Sequence, residues 1–237
     1  MATLKLGGRF GNHLHRIAAA YALSLKLDER CKVPYWRTSP HFPNFKHRVK
    51  MVPANREPTY RFMYCQGRDD FWAGSPLPTL PSQTCLVGCF ESAKYFEGYE
   101  DEVRDLFYQP VEPRDAIGIH VRRGDFLGKT DIHTRLNMEY YRRAAALTSG
   151  RKYIVCSDDI PWCQENFTGP RFTFSRGNFM DDFRLLRSCR QLIISNSTFS
   201  WWAAYLCDSP EIVVAPEKWY RRRKAPWKTV NTDWTLV

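Results

Sequence analysis

The sequence predicts an α/β protein with two parallel-sheet lobes that meet at a cleft. Strand-like and helix-like segments alternate along most of the 237 residues, which is typical of α/β folds. Two prolines interrupt this alternation within residues 109–114, where they exclude a helix and indicate a linker. Polar residues follow several predicted strands, and the carboxyl ends of parallel strands are where such sheets bind ligands. We therefore predict one lobe over residues 1–110 and a second over residues 111–237.

The N-terminal half begins with a strand, a glycine turn and an amphipathic helix. Apolar residues at helical spacing predict that this helix runs from about Asn12 to Leu27. Residues 37–82 are rich in proline, aromatic and basic residues with little periodicity, so we expect long surface loops or short helices there. The other predicted elements are strands at Leu4–Leu6, Cys31–Tyr35 and Cys85–Phe90 and a helix at Tyr95–Phe107.

The C-terminal half repeats the alternation more regularly, with short apolar runs separated by helical patterns. The predicted strands are Ala116–Val121, Tyr153–Ser157, Phe172–Phe174, Leu192–Ser195 and Ile212–Ala215. The predicted helices are Asn137–Leu147, Pro161–Asn166, Phe179–Arg190 and Phe199–Leu206.

The composition is that of a globular protein with a basic surface. Hydrophobic residues make up 43% and charged residues 25%, which excludes a disordered chain, a collagen-like repeat and a coiled coil. Lysine and arginine total 35 against 25 acidic residues, and this net charge of +10 indicates an anionic partner. Nucleic acid, membrane lipid and a phosphorylated small molecule are the candidates. The aromatic content of 15% suits a site for sugars or bases as well as a filled core.

The chain shows no signal for a membrane span, secretion or metal binding. No stretch approaches the roughly 20 apolar residues that a membrane helix needs, and the N-terminus does not resemble a signal peptide. The eight cysteines are scattered along a chain large enough to fold without disulfides, so we expect reduced thiols and a cytoplasmic location. Cys85 and Cys89 form an isolated C-x3-C, and the sequence therefore predicts no metal site.

The segment Ile117–Asp125 (IGIHVRRGD) carries the clearest binding signal. A buried strand ends here, and His120, Arg122, Arg123 and Asp125 emerge at its carboxyl end. The planar fork of arginine matches phosphate oxygens, and two adjacent arginines rarely both serve packing. In the alternative, one arginine forms a structural ion pair with Asp125 while the other is solvated. The clustering of four polar residues favours an anion site.

The segment GGRFGNHLHR at residues 7–16 places three glycines and Asn12 at a strand-to-helix turn. Glycines allow the backbone to approach an anion, and the N-terminus of a helix attracts negative charge. The spacing differs from the dinucleotide fingerprint, and no acidic residue ends the second strand. A plain helix start with Asn12 near the N-cap explains the same residues.

Two further predicted strands end in polar residues. Asp158 and Asp159 follow the strand YIVCS, where one could accept hydrogen bonds from a purine or ribose while the other caps the helix that begins near Pro161. The segment LIISNSTFSWWAAY delivers hydroxyl groups to a helix start, where they could cradle a phosphate. Its polar residues are Ser195, Asn196, Ser197, Thr198 and Ser200.

The basic run Trp219–Lys224 is the most obvious nucleic-acid feature. Charge runs are more often solvated faces, and the other arginines concentrate at strand ends beside hydroxyl and carboxylate groups. That arrangement suits one compact ligand, so we predict no nucleic-acid partner.

Taken in order, these segments resemble glycosyltransferase family 11, the α-1,2-fucosyltransferase family. The donor half is also similar to protein O-fucosyltransferases and α-1,6-fucosyltransferases. The resemblance implies a GT-B fold of two Rossmann-like lobes, with the acceptor lobe first and the GDP-fucose lobe second. It also implies inverting transfer of L-fucose from GDP-β-L-fucose to a glycan hydroxyl without an obligatory metal. The matching segments are GGRFGNHLHRIAAAYAL, GCFESAKYF, IGIHVRRGDF, YIVCSDDIPWCQENF, LIISNSTFSWWAAYL and VVAPEKWY.

The resemblance implies roles for residues on the donor side. Arg122 would hold the β-phosphate and stabilise the departing GDP, while His120 and Asp158 would contact the guanosine. Asn12 would approach the diphosphate and sugar from the other lobe. The remaining implied donor contacts are Gly8, Arg9, Phe10, Gly11, Arg123, Asp159 (as the alternative to Asp158), Ser197, Thr198 and Phe199.

The base that deprotonates the acceptor stays open at this point. Asp125 is the first choice and Asp131 and His133 the others, although Asp125 could instead orient Arg123. The family's usual glutamine after Gly-Asn is His13 here, and its Q-S-E-K-Y-F segment begins with Glu91. These departures lie on the acceptor side and predict an unusual acceptor. Alternative functions are transfer of another GDP-linked sugar such as GDP-rhamnose, or non-catalytic binding of a nucleotide or RNA.

Overall fold

The computed structural model describes residues 3–53, 55–56, 58–73, 75–128, 133–221 and 233–237. It divides the chain into two compact units, Met1–Gln109 and Pro110–Val237. Both units are mixed α/β with parallel sheets, which confirms the predicted α/β class. No helix in the described ranges is long and apolar enough to cross a membrane.

The first unit is built on a five-stranded sheet whose strands pair in parallel in the order β3-β2-β1-β5-β4. The first helix follows β1 and buries an apolar face that includes Leu14 and Ile17. The strands are β1 (Thr3–Leu4), β2 (Lys32–Pro34), β3 (Lys50–Val52), β4 (Phe62–Cys65) and β5 (Thr84–Val87). The helices are α1 (Phe10–Lys26), α2 (Phe45–Arg48), α3 (Arg68–Ala73) and α4 (Glu100–Leu106), with 3-10 turns at Ser39–His41 and Ala93–Phe96.

Two features of this unit differ from the sequence prediction. Residues 37–82, expected to be loops or short helices, also contribute β3 and β4 to the sheet. These strands are only three and four residues long, and β4 is largely exposed, so neither has the apolar pattern that predicts a strand. The helix expected at Tyr95–Phe107 is divided at Gly98, whose φ of 82° lies in the left-handed region and ends the first turn.

The second unit is built on a six-stranded parallel sheet in the order β11-β10-β9-β6-β7-β8. The strands are β6 (Arg114–Val121), β7 (Tyr153–Ser157), β8 (Phe172–Phe174), β9 (Cys189–Ile193), β10 (Ile212–Ala215) and β11 (Thr235–Leu236). The helices are α5 (Met138–Ala145), α6 (Ile160–Asn166), α7 (Phe179–Ser188) and α8 (Thr198–Tyr205), with a 3-10 helix at Gly124–Gly128.

Counted from β6, this strand order is that of a Rossmann sheet, 3-2-1-4-5-6. The chain runs outward from β6 through β7 to β8 and then returns to β9 on the other side of β6. The order therefore reverses between β6 and β9. In open α/β sheets a crevice forms outside the carboxyl ends of the strands at this point, and it is the usual ligand site.

Packing in the second unit agrees with the predicted pattern of buried strands. Ile117 and Ile119 of β6, Val155 of β7 and Ile193 of β9 are almost fully buried in one cluster. Helix α8 buries most of its length, including Trp201 and Trp202, because it is apolar on nearly every side. Three predicted strands, β7, β8 and β10, have the predicted bounds, whereas the two-residue β11 was not predicted.

Candidate functional site

Arg122 lies at the carboxyl end of β6 between two carboxylates. Its Nη1 is 2.7 Å from Asp158 Oδ2, and its Nη2 contacts Asp125 Oδ1. The guanidinium carbon also lies 5.2 Å from the centre of the Phe126 ring. Only 14% of the Arg122 side chain is exposed. Two ion pairs thus hold the guanidinium in place at the carboxyl edge of the sheet.

Arg123 is buried and contacts protein groups. Its Nε donates to Asp159 Oδ2 at 2.9 Å, and its guanidinium carbon lies 3.9 Å from the centre of the Trp162 ring. Its backbone N–H donates to Asp158 Oδ1 at 2.9 Å. Asp159 also caps α6 by accepting from the backbone N–H of Trp162. These contacts favour a positioning role for Arg123 over the expected donor contact.

The ion pairs bear on two alternatives left open by the sequence. Arg122 does form the ion pair with Asp125 that one alternative expected. Neither arginine is simply solvated, because each pairs with at least one carboxylate. Asp125, offered as a partner for Arg123, contacts Arg122 instead. Sequence reasoning missed Trp162, whose place three residues after Asp159 gave no signal that its ring would lie on Arg123.

His120 bridges the point at which the strand order reverses. Its Nδ1 lies 2.8 Å from Ser195 Oγ, which joins the end of β6 to the segment after β9. Its ring centre is 5.1 Å from that of Phe199. Burial and then the nearby Arg122 charge lower the pKa of His120 to about 3. The imidazole is therefore neutral and can offer hydrogen bonds without adding charge.

His120 is expected to make stability fall on acidification. Its folded pKa of about 3 lies below the ordinary 6.5, so the unfolded chain binds more protons between these values. The contribution of this group to the free energy of unfolding is therefore fully present above pH 6.5. It is lost below that pH with a slope of up to about 1.4 kcal/mol per pH unit for one such group. Urea unfolding at pH 7.5, 6.0 and 5.0 measures this slope. His120→Asn should reduce the slope by the share of one group without abolishing it, because burial also lowers the pKa of His15 to about 3. His47→Asn, at an exposed position, should leave the slope unchanged.

The polar segment after β9 is largely occupied by internal hydrogen bonds, which corrects the predicted cradle of five side chains. Asn196 Nδ2 donates to two backbone carbonyls, at 2.8 and 2.9 Å. Ser200 Oγ donates to the carbonyls of Ser195 and Ser197, and Ser197 Oγ caps α8. The capped N-terminus of α8, with Thr198 as its first residue, stays a candidate for contact with a diphosphate.

Asp182 is a carboxylate that sequence reasoning passed over. Asp182 lies in the first turn of α7. Its Oδ1 accepts a hydrogen bond from the Oγ of Ser175, the residue that follows β8. Burial raises the pKa of Asp182, while hydrogen bonds from Ser175 and the Cys156 thiol oppose this shift. The pattern Asn178-x-x-Asp181 of a capping box indicated only a helix start.

Beside Arg122, the rings of Phe126, His133 and Tyr220 lie next to one another. The ring of His133 lies parallel to that of Phe126 at 3.9 Å between centres, and its centre lies 5.7 Å from that of Tyr220. His133 is one of the three bases that the sequence predicts, and Asp125, another, contacts Arg122. The third, Asp131, lies outside the described residues, as does most of the basic run after Tyr220.

In the first unit, a second polar group lies at the carboxyl ends of the adjacent strands β1 and β5. Asn12 Nδ2 donates to Glu91 Oε1 at 2.5 Å. Asn12 is the third residue of α1 and not its cap, since the N-cap position is Arg9. Burial, followed by the charge of Arg16, lowers the pKa of His13, the residue after Asn12. The structure thus brings together Asn12 and Glu91, 79 positions apart.

The other residues of the glycine turn have different surroundings. Phe10 packs among aromatic rings, with its centre 6.3 Å from those of Trp36 and Phe42. Gly11 is buried within α1, and Arg9 is exposed. Phe10 thus packs against aromatic residues of the first unit, and its donor contact stays a prediction of the sequence.

Gly8→Ala is expected to disturb this group more than Gly98→Ala. Both glycines have φ near 80°, so alanine introduces the same backbone strain at each, of order 1 kcal/mol. A Cβ at Gly8 would also lie 2.9 Å from Asn12 Cβ, whereas a Cβ at Gly98 meets no atom within 4 Å. Thermal unfolding of both variants isolates the steric contribution. Equal losses of stability would contradict a close approach at Gly8.

Within the described residues, no three His, Cys, Asp or Glu side chains lie close enough to hold a metal ion. The charged groups at the edge of the second sheet instead pair with one another. The site can therefore present one arginine, a neutral histidine, several carboxylates and a helix N-terminus to a ligand. This set of groups suits an anion that carries hydrogen-bond donors.

The chain is similar to several characterised transferases. The O-antigen biosynthesis glycosyltransferase WbnK of Escherichia coli is 29% identical over 166 residues, which cover 57% of this chain and 55% of that protein. An alpha-1,2-colitosyltransferase of Escherichia coli is 22% identical over 273 aligned positions, covering 93% of this chain and 92% of its own. Galactoside alpha-(1,2)-fucosyltransferase 2 of Oryctolagus cuniculus is 24% identical over 248 positions, covering 91% and 69%. This chain thus spans about half the length of WbnK.

Among solved structures, a crystal structure of NodZ alpha-1,6-fucosyltransferase soaked with GDP-fucose aligns with a TM-score of 0.48 at 16% identity. The alignment covers 86% of this chain and 92% of that one. The family model named Glycosyl transferase family 11 matches residues 90–236. That stretch is more than half of the chain and includes Glu91, both strand-end arginines and the segment that begins α8. The chain therefore belongs to glycosyl transferase family 11.

Proposed function

We propose that the protein transfers L-fucose from GDP-β-L-fucose to a hydroxyl of a galactoside, forming an α-1,2 linkage with inversion. The observation that carries the proposal is Arg122, fixed beside the point where the sheet order reverses and where nucleotides bind in such sheets. The relative from Oryctolagus cuniculus, a galactoside alpha-(1,2)-fucosyltransferase matched over 91% of this chain, supports the sugar, the acceptor class and the linkage.

Arg122 would stabilise the departing GDP. Negative charge develops on the β-phosphate as the bond to the sugar breaks, and a preorganised guanidinium stabilises that charge more in the transition state than in the ground state. The diphosphate would replace part of the contact that Arg122 makes with Asp125 and Asp158. The N-terminus of α8 would supply backbone N–H groups to the same anion. We expect these groups to act without a metal ion.

Two carboxylates are candidates for guanine, whose N1–H and amino group need an acceptor. Asp158 is the sequence-based choice, but it already accepts from the backbone of Arg123 and pairs with Arg122. Asp182 has neutral side-chain partners, Ser175 and Cys156, so its oxygens are less strongly engaged. This difference favours Asp182 as the acceptor for the N1–H and amino group of guanine. Asp158 is then the residue that positions Arg122.

The second unit would bind the donor and the first unit the acceptor. The Rossmann strand order of the second sheet supports this division. A GT-B arrangement of the two units and a cytoplasmic location stay predictions of the sequence.

A second donor is a specific alternative. The alpha-1,2-colitosyltransferase matches 93% of this chain, so relatives of similar length transfer a sugar other than fucose. A change of GDP-linked sugar would keep the groups proposed for the diphosphate and guanine. It would alter only contacts with the hexose.

Calorimetric titration in EDTA tests the proposal, using GDP, GDP-fucose, GDP-mannose and UDP as ligands. We expect micromolar binding of GDP and GDP-fucose and no binding of UDP. Tighter binding of another GDP-sugar than of GDP-fucose would favour the alternative donor. Absence of binding to any guanine nucleotide would overturn both readings, and titration with RNA would then test the nucleic-acid alternative.

A further inference from the structure

The ion pairs of Arg122 alone do not keep its guanidinium oriented once a diphosphate binds. The two partners, Asp125 and Asp158, are anions, and they contact the same kind of N–H donor that phosphate oxygens would take. In the proposed function the diphosphate takes over part of these contacts, so the guanidinium loses part of what holds it. A support without negative charge would stay in place beside the bound anion.

The ring of Phe126 is a support of this kind, and it belongs to the same unit as Arg122. The guanidinium carbon of Arg122 lies over this ring, 5.2 Å from its centre, which is within the range of cation–π interactions. The face of a ring attracts a cation without a hydrogen-bond acceptor, so it does not compete with phosphate oxygens as a carboxylate does. Phe126 is half-buried and lies in the 3-10 helix Gly124–Gly128.

Phe126 is itself held in place by the ring of His133. The two rings are parallel to within 7° and their centres are 3.9 Å apart, so His133 covers one face of Phe126. The centre of the buried Tyr220 ring lies 5.7 Å from that of His133 on a neighbouring segment. Packing of this kind restricts the rotamer of a side chain, and a restricted side chain can orient the group that it contacts.

The two segments that carry His133 and Tyr220 are tied to each other and to the end of β9. His133 and Tyr220 form an antiparallel bridge. Asn196, which follows β9, donates from its Nδ2 to Thr134 O at 2.8 Å and to Trp219 O at 2.9 Å. Only 2% of Asn196 is exposed, so its amide is engaged inside the protein. The polar segment after β9 thus fixes the backbone on which the rings behind Phe126 stand.

We infer that Phe126 is a positioning residue for Arg122, whose ring keeps the guanidinium oriented when the nucleotide is bound. The inference rests on the proposed function, in which Arg122 stabilises the departing GDP. In this role Phe126 acts on the reaction only through Arg122. The competing explanation is that the ring fills space beside the 3-10 helix and contributes to stability alone.

A double-mutant cycle of Phe126 and Arg122 separates the two explanations. Phe126→Leu keeps an apolar side chain but removes the ring. In the wild-type background we expect it to lower kcat for fucosyl transfer to lactose, and to weaken GDP binding in calorimetry, by about 3- to 30-fold each. In the Arg122→Ala background it should change both by less than about twofold, because the guanidinium is already absent. Phe126→Tyr retains the ring and should behave as the wild type.

Leu127→Ala is the matched control, since Leu127 is the next residue of the same 3-10 helix and is 40% exposed. We expect it to leave both kcat and the affinity for GDP unchanged. Thermal unfolding shows whether each variant is folded at the assay temperature. If Phe126→Leu is not, Phe126→Met takes its place in the cycle, because the flexible methionine side chain fills irregular space without a ring.

The outcomes distinguish this inference from the proposed function. Equal losses in the two backgrounds would overturn the inference, since Phe126 would then act independently of Arg122, and so would a normal kcat and GDP affinity of Phe126→Leu. Fucosyl transfer by the wild type would stand in both cases. If the wild type binds GDP but does not transfer fucose, the proposed function fails, while the GDP cycle still decides the role of Phe126. If it binds no guanine nucleotide, both fail.

Discussion

Arg122→Ala is expected to lower kcat by about 10²- to 10³-fold, because it removes the charge that stabilises the leaving group. The guanidinium is a fixed positive charge beside the point where the order of the second sheet reverses, and its contribution grows as charge develops on the leaving diphosphate. Its loss should affect stability by only about 1 kcal/mol, because Asp125 and Asp158 are partly exposed and can be solvated.

Steady-state kinetics with GDP-fucose, together with thermal unfolding, measure both effects. Arg122→Lys keeps the charge without the planar fork, so its kcat should lie between those of the wild type and the alanine variant. Arg190→Ala is the matched control, since Arg190 also pairs with a carboxylate, Glu211, but on the exposed surface. Normal turnover by Arg122→Ala would show that another group stabilises the diphosphate.

The sequence predicted the second unit well because its local and global signals agree. Strands β6, β7 and β10 combine apolar runs with polar residues just beyond their ends. In a parallel sheet those ends meet at one edge, so residues as distant as His120 and Ser195 could be expected at one site. Predicting that contact required only the alternation of strands and helices, which is visible in a single sequence.

The pairing of charges at this edge was not predictable in the same way. Arg122 and Arg123 are adjacent and identical in type, and nothing local distinguishes the one that faces the ligand edge. Their roles are set by partners far along the chain, namely Asp158 for Arg122, and Asp159 with Trp162 for Arg123. Side-chain packing, and not periodicity, decides between them.

The first unit was harder to predict because its strands are very short. Strands of two to four residues cannot show alternation, and they form only because neighbouring strands pair with them. No local sequence pattern predicts the partner of Glu91. Its contact with Asn12 forms because the parallel sheet brings the ends of β1 and β5 together.

Gly124→Ala is expected to weaken GDP binding by about 10- to 100-fold, while Gly128→Ala leaves it unchanged. A Cβ at Gly124 would overlap Oδ2 of Asp158, and one at Gly128 would meet no atom within 4 Å. The two glycines begin and end the same 3-10 helix, and neither has a left-handed backbone. The substitutions therefore differ in the space available for the added methyl group.

The expected loss at Gly124 follows from what Asp158 holds. Its carboxylate accepts from the backbone N–H of Arg123 and pairs with Arg122, so displacing it removes the contacts that hold the Arg122 guanidinium in position for the nucleotide. Calorimetry with GDP gives the affinity, and urea unfolding shows whether the loss is confined to binding. If Gly124→Ala binds GDP as tightly as Gly128→Ala, Asp158 does not position Arg122 for the nucleotide, and its pairing with the arginines is structural.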